Sequence, residues 1–297
     1  MFARRHPFLF SILVLFSVFM GSIVILSVLG LLVAGSGGAS AFGEKVGVVE
    51  LTGAITDSRF VVESLASFRK NPSVKAVVLR VDSPGGELGP SQEIYREVKK
   101  TVAVKKVVVS MGSVAASGGY YVSSCASGIM ANPGTITGSI GVILAYTNFK
   151  SLMDKVGISP VVIKSGKFKD VGSPFRDMTA EERAYLSDTI MAMYGQFLAD
   201  VSAGRKIPVE KLREFADGRV FTGIKAKELG LVDRLGNYED AIAWAAELGG
   251  ISGEPTVVYA RKHRFGAIEE MLDSASQLMM NSGINLPRFA YLWLPSM

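Results

Sequence analysis

Two short stretches of this sequence set glycines beside groups that could attack or polarise a carbonyl: Arg80-Val-Asp82-Ser-Pro-Gly-Gly86 and Val114-Ala-Ala-Ser117-Gly-Gly-Tyr-Tyr121. Each follows an apolar, Val-rich run and precedes a helical pattern, so each falls where a strand ends and a helix opens. Glycines at such a junction let backbone N–H groups point into a cleft, the arrangement of an oxyanion hole, and Gly86 and Gly118 are the candidate donors. A serine at a tight strand-to-helix turn has an exposed hydroxyl. Ser117 therefore follows the logic of a nucleophile elbow, although the GxSxG spacing is absent. Both stretches also have ordinary readings, since Pro-Gly is common turn chemistry and serine is a favoured helix N-cap.

A serine nucleophile needs a base, and the histidines do not supply one. His6 precedes an apolar segment and His263 lies near the C-terminus, both outside the Gly-rich middle, so neither a Ser-His-Asp triad nor a His-rich metal site assembles readily. Lysine can serve when desolvation leaves its amine neutral. The segment Val162-Ile-Lys164-Ser-Gly-Lys167-Phe-Lys169-Asp170 offers three, and composition does not choose among them. The single Cys125 rules out an intrachain disulfide and a multi-cysteine metal site, and reads as a small buried hydrophobe.

The elements that must position these groups read as βαβ. Apolar runs at 45–51, 74–82 and 105–111 alternate with helical patterns at 58–70 and 90–102, which predicts a mainly parallel sheet covered by helices. A short helix near 117–126, short strands near 129–132 and 140–144, a helix near 147–156 and the apolar run PVVIKSG (160–166) follow. Thr179 and Glu182 form a capping-box pattern that opens a long helix to about Ala203. Helical segments near 208–216, 223–229 and 238–248 precede a strand at 256–260. The tail from Ile268 is amphipathic, and packing on the core, on a neighbouring subunit or on a membrane surface all suit it.

Phe8 to Ala34 is almost continuously apolar, and no charged residue occurs from Pro7 to Gly43. About 20 helical residues cross a bilayer and a secretory signal needs only about 7 to 15 apolar residues, so the run predicts an uncleaved signal anchor, with cleavage after Ala39-Ser40-Ala41 as the alternative. Arg4 and Arg5 before it place the N-terminus in the cytoplasm and the rest of the chain outside, in the periplasm of a Gram-negative cell. The expected organisation is a cytoplasmic N-terminus (1–7), an anchor (8–34), a Gly/Ser/Ala linker (35–44), one catalytic domain (45–265) and the tail (266–297). A formal charge of +5 without a block of five basic residues argues against nucleic-acid binding; a basic face beside anionic lipid explains it more simply.

The succession DSPGG, ASGGYYVSS, GTITGSIGVI and SGKFKDVGSPFR behind an apolar N-terminal segment resembles the short bacterial form of signal peptide peptidase A, over roughly residues 45–240. That resemblance implies an α/β fold of the Clp protease and crotonase type, built from repeated ββα and βαβ units, and peptide cleavage by a serine-lysine dyad. Carried onto this sequence it makes Ser117 the nucleophile, Lys169 the base, Ser139 in TGSIGV the serine that hydrogen-bonds the lysine, and Gly86 and Gly118 the oxyanion donors. It implies no metal, nucleotide or organic cofactor. The implied substrates are signal peptides left in the membrane, and the implied assembly is a homo-oligomer, an octamer for a single-repeat chain. Competing expectations are another membrane protease of the Clp class, an acyl-CoA enzyme of the same fold, which the extracytoplasmic orientation disfavours, and a non-catalytic membrane scaffold.

Overall fold

The computed structural model describes residues 8, 15–26, 43–261 and 288–292. Two compact units divide the chain, Met1–Gly43 and Glu44–Met297. In the first, the described helix covers residues 15–26 and its side chains are exposed. No helix among the described residues is long and apolar enough to cross a membrane; the rest of the anticipated anchor lies outside them.

The second unit is built on strands whose alternation feeds two apolar layers. β1 (Lys45–Thr52), β2 (Val74–Ser83) and β4 (Lys106–Ala116) run parallel at its centre. The main path of this eight-stranded sheet is β10-β1-β2-β4-β5-β9, with β5 (Gly128–Ala131), β9 (Arg234–Leu235) and β10 (Thr256–Tyr259) also parallel to their neighbours, and β6 (Ile136–Gly138), with β8 (Val220–Thr222) beside it, branches from β4. Because successive side chains point to opposite faces, Val46, Val48, Ala76, Val78 and Val108 enter one layer, while Val49, Leu51, Val77, Leu79, Val81, Val107 and Val109 enter the other. Helix α8 (Tyr238–Gly249) covers the first layer with Ala241, Ile242, Trp244 and Ala245. The second is covered by α1 (Arg59–Lys70) through Val61, Leu65 and Phe68, and by α2 (Leu88–Val102) through Ile94, Tyr95 and Val98. Each fully buried valine or leucine contributes about 1.5–3 kcal/mol of hydrophobic stabilisation.

Thr179 caps α5 (Ala180–Arg205) in a complete capping box with Glu182, as the sequence predicts. The apolar run 160–166 is irregular, with Val161, Val162 and Ile163 exposed. One other expectation needs correction. The strand expected at 140–144 is replaced by two, β6 (Ile136–Gly138) on the main sheet and β7 (Ile143–Ala145) on a second. The second sheet has the order β3-β11-β7, where β3 is Gly85–Glu87 and β11 is Arg288–Leu292, a tail segment with no strand signal of its own.

Candidate active site

The Gly-rich junctions meet because β4 does not stop at Met111. Its first half pairs with β5 and its last three residues, Val114–Ala116, pair with β6. Between the halves the β2–β4 register slips, from Val81↔Met111 to Ser83↔Ala115. Asp82 fills the slip: its Oδ1 accepts the Val114 N–H at 3.0 Å. A Cβ on Gly112 would lie 2.7 Å from the Asp82 carboxyl carbon, so the close approach requires glycine there. Asp82 thus ties the end of β2 to the part of β4 that leads to Ser117, a contact sequence reasoning missed. The signal was present, an acid directly before the Ser-Pro-Gly-Gly turn at a strand end.

Ser117 follows β4 immediately and precedes α3 (Gly118–Ser123). Its φ of 51° lies in the left-handed region that non-glycine residues avoid. Two backbone bonds hold it there: Ser117 N–H donates to Gly138 O at 2.8 Å, and Tyr121 N–H donates to Ser117 O at 2.8 Å. Although Ser117 occupies the N-cap position, its side chain makes no capping hydrogen bond. The hydroxyl is therefore not spent on the helix, which removes the ordinary explanation for a serine at this place. Strain of this kind, held by surrounding bonds, is typical of residues aimed at a reaction.

Ser139 stands beside it. Ala116 and Gly138 are register partners in the β4–β6 pair, so the residues that follow them, Ser117 and Ser139, leave the sheet at the same end. Ser139 also has a left-handed backbone, φ 50°, and its N–H donates to Arg219 O at 2.9 Å. Gly86 and Gly118 converge as well, since a Cβ built on Gly118 would lie 3.1 Å from Gly86 N. Two backbone amides thus share one small space next to Ser117. Added bulk is excluded on both sides, because a Cβ on Gly86 would sit 2.2 Å from Ile55 O and one on Gly118 would sit 2.8 Å from Ser91 Oγ.

Lys169 is placed differently. It is exposed, in a turn where its N–H donates to Gly166 O at 3.1 Å, and no hydrogen bond joins it to Ser117 or Ser139 among the described residues. The segment around it is tied to the start of α5. Phe168 stacks on Tyr185 at 5.0 Å between ring centroids, and Lys167 pairs with Glu181. Arg176 bridges Asp170 (Nε to Oδ2, 2.9 Å) and Glu182 (Nη1 to Oε2, 2.9 Å). Hydrogen bonding from Arg176 first, then from Lys164, holds the Asp170 carboxyl well below the usual carboxylate range. The Arg176 hydrogen bond, then the Thr179 backbone, lowers Glu182 to about 2. Of the three candidate lysines, Lys164 is bound to Asp170 and Lys167 to Glu181, whereas Lys169 has no ion pair among the described residues. An amine that must give up its proton cannot also be the fixed partner of a carboxylate. Of these three lysines, Lys169 is the one without a carboxylate partner among the described residues.

Cys125 is buried, and burial pushes its thiol up to about 12, so it is not a thiolate nucleophile. The tyrosines after Ser117 are structural. Tyr120 Oη donates to Leu231 O at 3.1 Å and Tyr121 Oη to Asp200. Among the described residues no group of His, Cys, Asp and Glu could hold a metal ion.

Residues 99–252 match the family described as Peptidase family S49. A Synechocystis sp. protein named "Putative protease slr0021" is 49% identical over 210 residues, covering 70% of this chain and 76% of that protein. "Putative signal peptide peptidase SppA" of Enterococcus faecium is 38% identical over 182 residues, 60% of this chain and 52% of the relative. "Protease 4" of Salmonella typhi is 34% identical over 257 residues, covering 80% of this chain but 41% of its own length.

Proposed function

The chain belongs to peptidase family S49 and is a serine protease of the signal peptide peptidase A type; from that premise we propose that it is a membrane-anchored endopeptidase that degrades remnant signal peptides with Ser117 and Lys169. The observation that carries the site assignment is Ser117, uncapped and left-handed beside the Gly86 and Gly118 amides.

In this mechanism neutral Lys169 accepts the Ser117 proton as Oγ attacks the peptide carbonyl. The C–N bond weakens as negative charge gathers on the carbonyl oxygen, which the Gly86 and Gly118 N–H groups hold. Lys169 then donates its proton to the leaving amine, and water hydrolyses the acyl-enzyme. Ser139 orients the lysine amine, a role its position next to Ser117 supports. Preformed donors of this kind are worth about 2.7–4 kcal/mol each.

A single chain leaves the dyad open, with Ser117 buried and Lys169 exposed. The segment that bears Lys169 also exposes Val161, Val162, Ile163 and Phe175. Adjacent exposed apolar side chains mark an interaction surface, which supports a homo-oligomer in which covering this face brings Lys169 to a serine. The anchor at 8–34, a cytoplasmic N-terminus and a catalytic domain outside the membrane remain part of the proposal on the strength of the charge-free run and Arg4 and Arg5.

The test is hydrolysis of a synthetic signal peptide in detergent by the wild type, Ser117→Ala and Lys169→Ala, with oligomeric state and folding checked in parallel. The proposal expects turnover by the wild type and none by either folded variant. Full activity in Lys169→Ala would remove the assigned base, and a folded but inactive wild type would favour the scaffold reading.

A further inference from the structure

The motif that contains Ser139 also holds a residue to which the mechanism gives no role. In Gly134-Thr135-Ile136-Thr137-Gly138-Ser139, Thr137 lies on β6 opposite Ala115 of β4 and is fully buried. Its Oγ1 donates to Ala115 O at 2.7 Å, two residues before Ser117. The next residue continues the tie through its backbone, because Gly138 O accepts the Ser117 N–H at 2.8 Å. Ser139 follows. Three consecutive residues thus hold the carbonyl that precedes the nucleophile, hold the nucleophile's own amide, and present the serine proposed to orient Lys169.

β6 can space these groups because it is itself fixed. On its far side it pairs antiparallel with β8, with Thr137↔Phe221 and Gly138↔Val220, and the Ser139 N–H donates to Arg219 O at 2.9 Å. Gly138 has a φ of 82°, and a Cβ there would lie 2.6 Å from the Phe221 ring, so glycine lets the strand seat against β8. β4 is less regular. It leaves β5, slips its register against β2 and enters the left-handed backbone of Ser117, with only three residues paired to β6 on the way. The Thr137 hydroxyl reaches it inside that stretch.

Thr135 offers a comparison within the same motif. It too is buried, and its Oγ1 donates to Gly112 O at 2.7 Å. That bond joins β4 five residues before Ser117, on the far side of the contact between Asp82 and the Val114 N–H. The Thr135 hydroxyl also accepts the Asn132 N–H at 3.1 Å, so it belongs to the turn that precedes β6.

We infer that Thr137 is a positioning residue: by tying Ala115 to β6 it sets the spacing of Ser117 from Ser139 and the aim of Ser117 Oγ toward a carbonyl held by the Gly86 and Gly118 amides. This rests on the reading of Ser117 as the nucleophile. Thr137 itself touches no reacting atom. A displacement of about 1 Å at a reacting group costs about 100-fold in rate, and such a group keeps its aim only where neighbouring hydrogen bonds and packing lock it.

The experiment uses the full chain and three variants: Thr137→Val, which keeps the shape and removes the donor, Thr137→Ser, which keeps the donor, and Thr135→Val. Signal-peptide hydrolysis, the rate of Ser117 labelling by a peptidyl phosphonate, thermal unfolding and hydrogen exchange of residues 112–118 are measured on each. Thr137→Val lowers kcat and the labelling rate together by about 10- to 100-fold while KM stays within about twofold. It also speeds exchange in 112–118 about tenfold. Thr137→Ser recovers both rates to within about threefold, and Thr135→Val lowers the melting temperature as Thr137→Val does but keeps kcat within about threefold. Thr137→Ala carries the same test if the valine variant does not fold. Unchanged kcat and labelling in folded Thr137→Val overturn the inference, and so does an equal loss of kcat in both valine variants, which is general destabilisation. A wild type that neither hydrolyses peptide nor takes the label contradicts the protease reading instead; faster exchange in 112–118 confined to the Thr137 variants then leaves the tie to Ser117 standing, and unchanged exchange overturns that tie as well.

Discussion

The surroundings of Ser117 and of Lys169 differ in how they are built. Ser117 is 1% exposed, between a strand and a helix whose facing residues are buried, and its strained backbone is held by bonds from β6 and α3. Lys169 is exposed on an irregular segment fixed by ion pairs and one aromatic stack to the start of α5. The difference teaches that the proposed nucleophile and its backbone donors are part of the folded core, whereas the proposed base stands on an exposed surface segment.

The largest effect expected from breaking this comparison is on the core side. Ser117→Ala should lower kcat by about 10⁴-fold or more while leaving the melting temperature nearly unchanged, as measured by peptide hydrolysis and thermal unfolding. On the exposed side, Lys169→Ala should cost nearly as much, whereas Lys164→Ala and Lys167→Ala should cost no more than about tenfold, because they remove only ties within the segment. A comparable loss in all three would show that the segment's shape matters and not one amine. Mixing Ser117→Ala with Lys169→Ala sharpens the comparison further. Activity regained on mixing the two inactive proteins means that neighbouring copies complete each other's dyads; silence means that each copy closes on itself.

Smaller effects come from the residues that position each half. Asp82→Ala removes the acceptor for the Val114 N–H and should cut kcat about 10- to 100-fold with a lowered melting temperature, while Asp82→Asn, which keeps an oxygen at that place, should recover most of both. The smallest effect is one of pH. Asp170 and Glu182 have lowered folded-state values, so their pairing with Arg176 contributes fully above the unfolded carboxylate range near about 4 and is lost as pH falls from there toward 2. Hydrogen exchange should therefore accelerate around residues 165–182 over that interval before it does so around Ser117. Simultaneous loss in both regions would contradict the separation.

How much of this was legible in the sequence depended on whether a residue's neighbours were local. The central strands, the helices over 59–70 and 88–102 and the Thr179 capping box follow from periodicity and end signals a few residues apart. Ser117, Gly118 and Gly86 were legible only as candidates, since a serine and glycines at a strand end also suit an N-cap and a turn, and it was the resemblance of the motifs that singled them out. Asp82 did not, since its partner is the backbone of Val114, 32 residues on, and a carboxylate before a turn looks like turn chemistry. The strand 288–292 was invisible for the same reason: its partners, Gly85–Glu87 and Ile143–Ala145, are remote, and five residues rich in aromatic side chains fit a helix or a strand equally.

The most direct test of the central claim, that Ser117 attacks and Lys169 takes its proton, is to treat the protein with a peptidyl phosphonate and locate the adduct by mass spectrometry. The mechanism predicts a covalent adduct on Ser117 in the wild type and a rate of labelling lowered about 10³-fold or more in folded Lys169→Ala. Labelling of another serine, or labelling of Ser117 at an unchanged rate without Lys169, would contradict it.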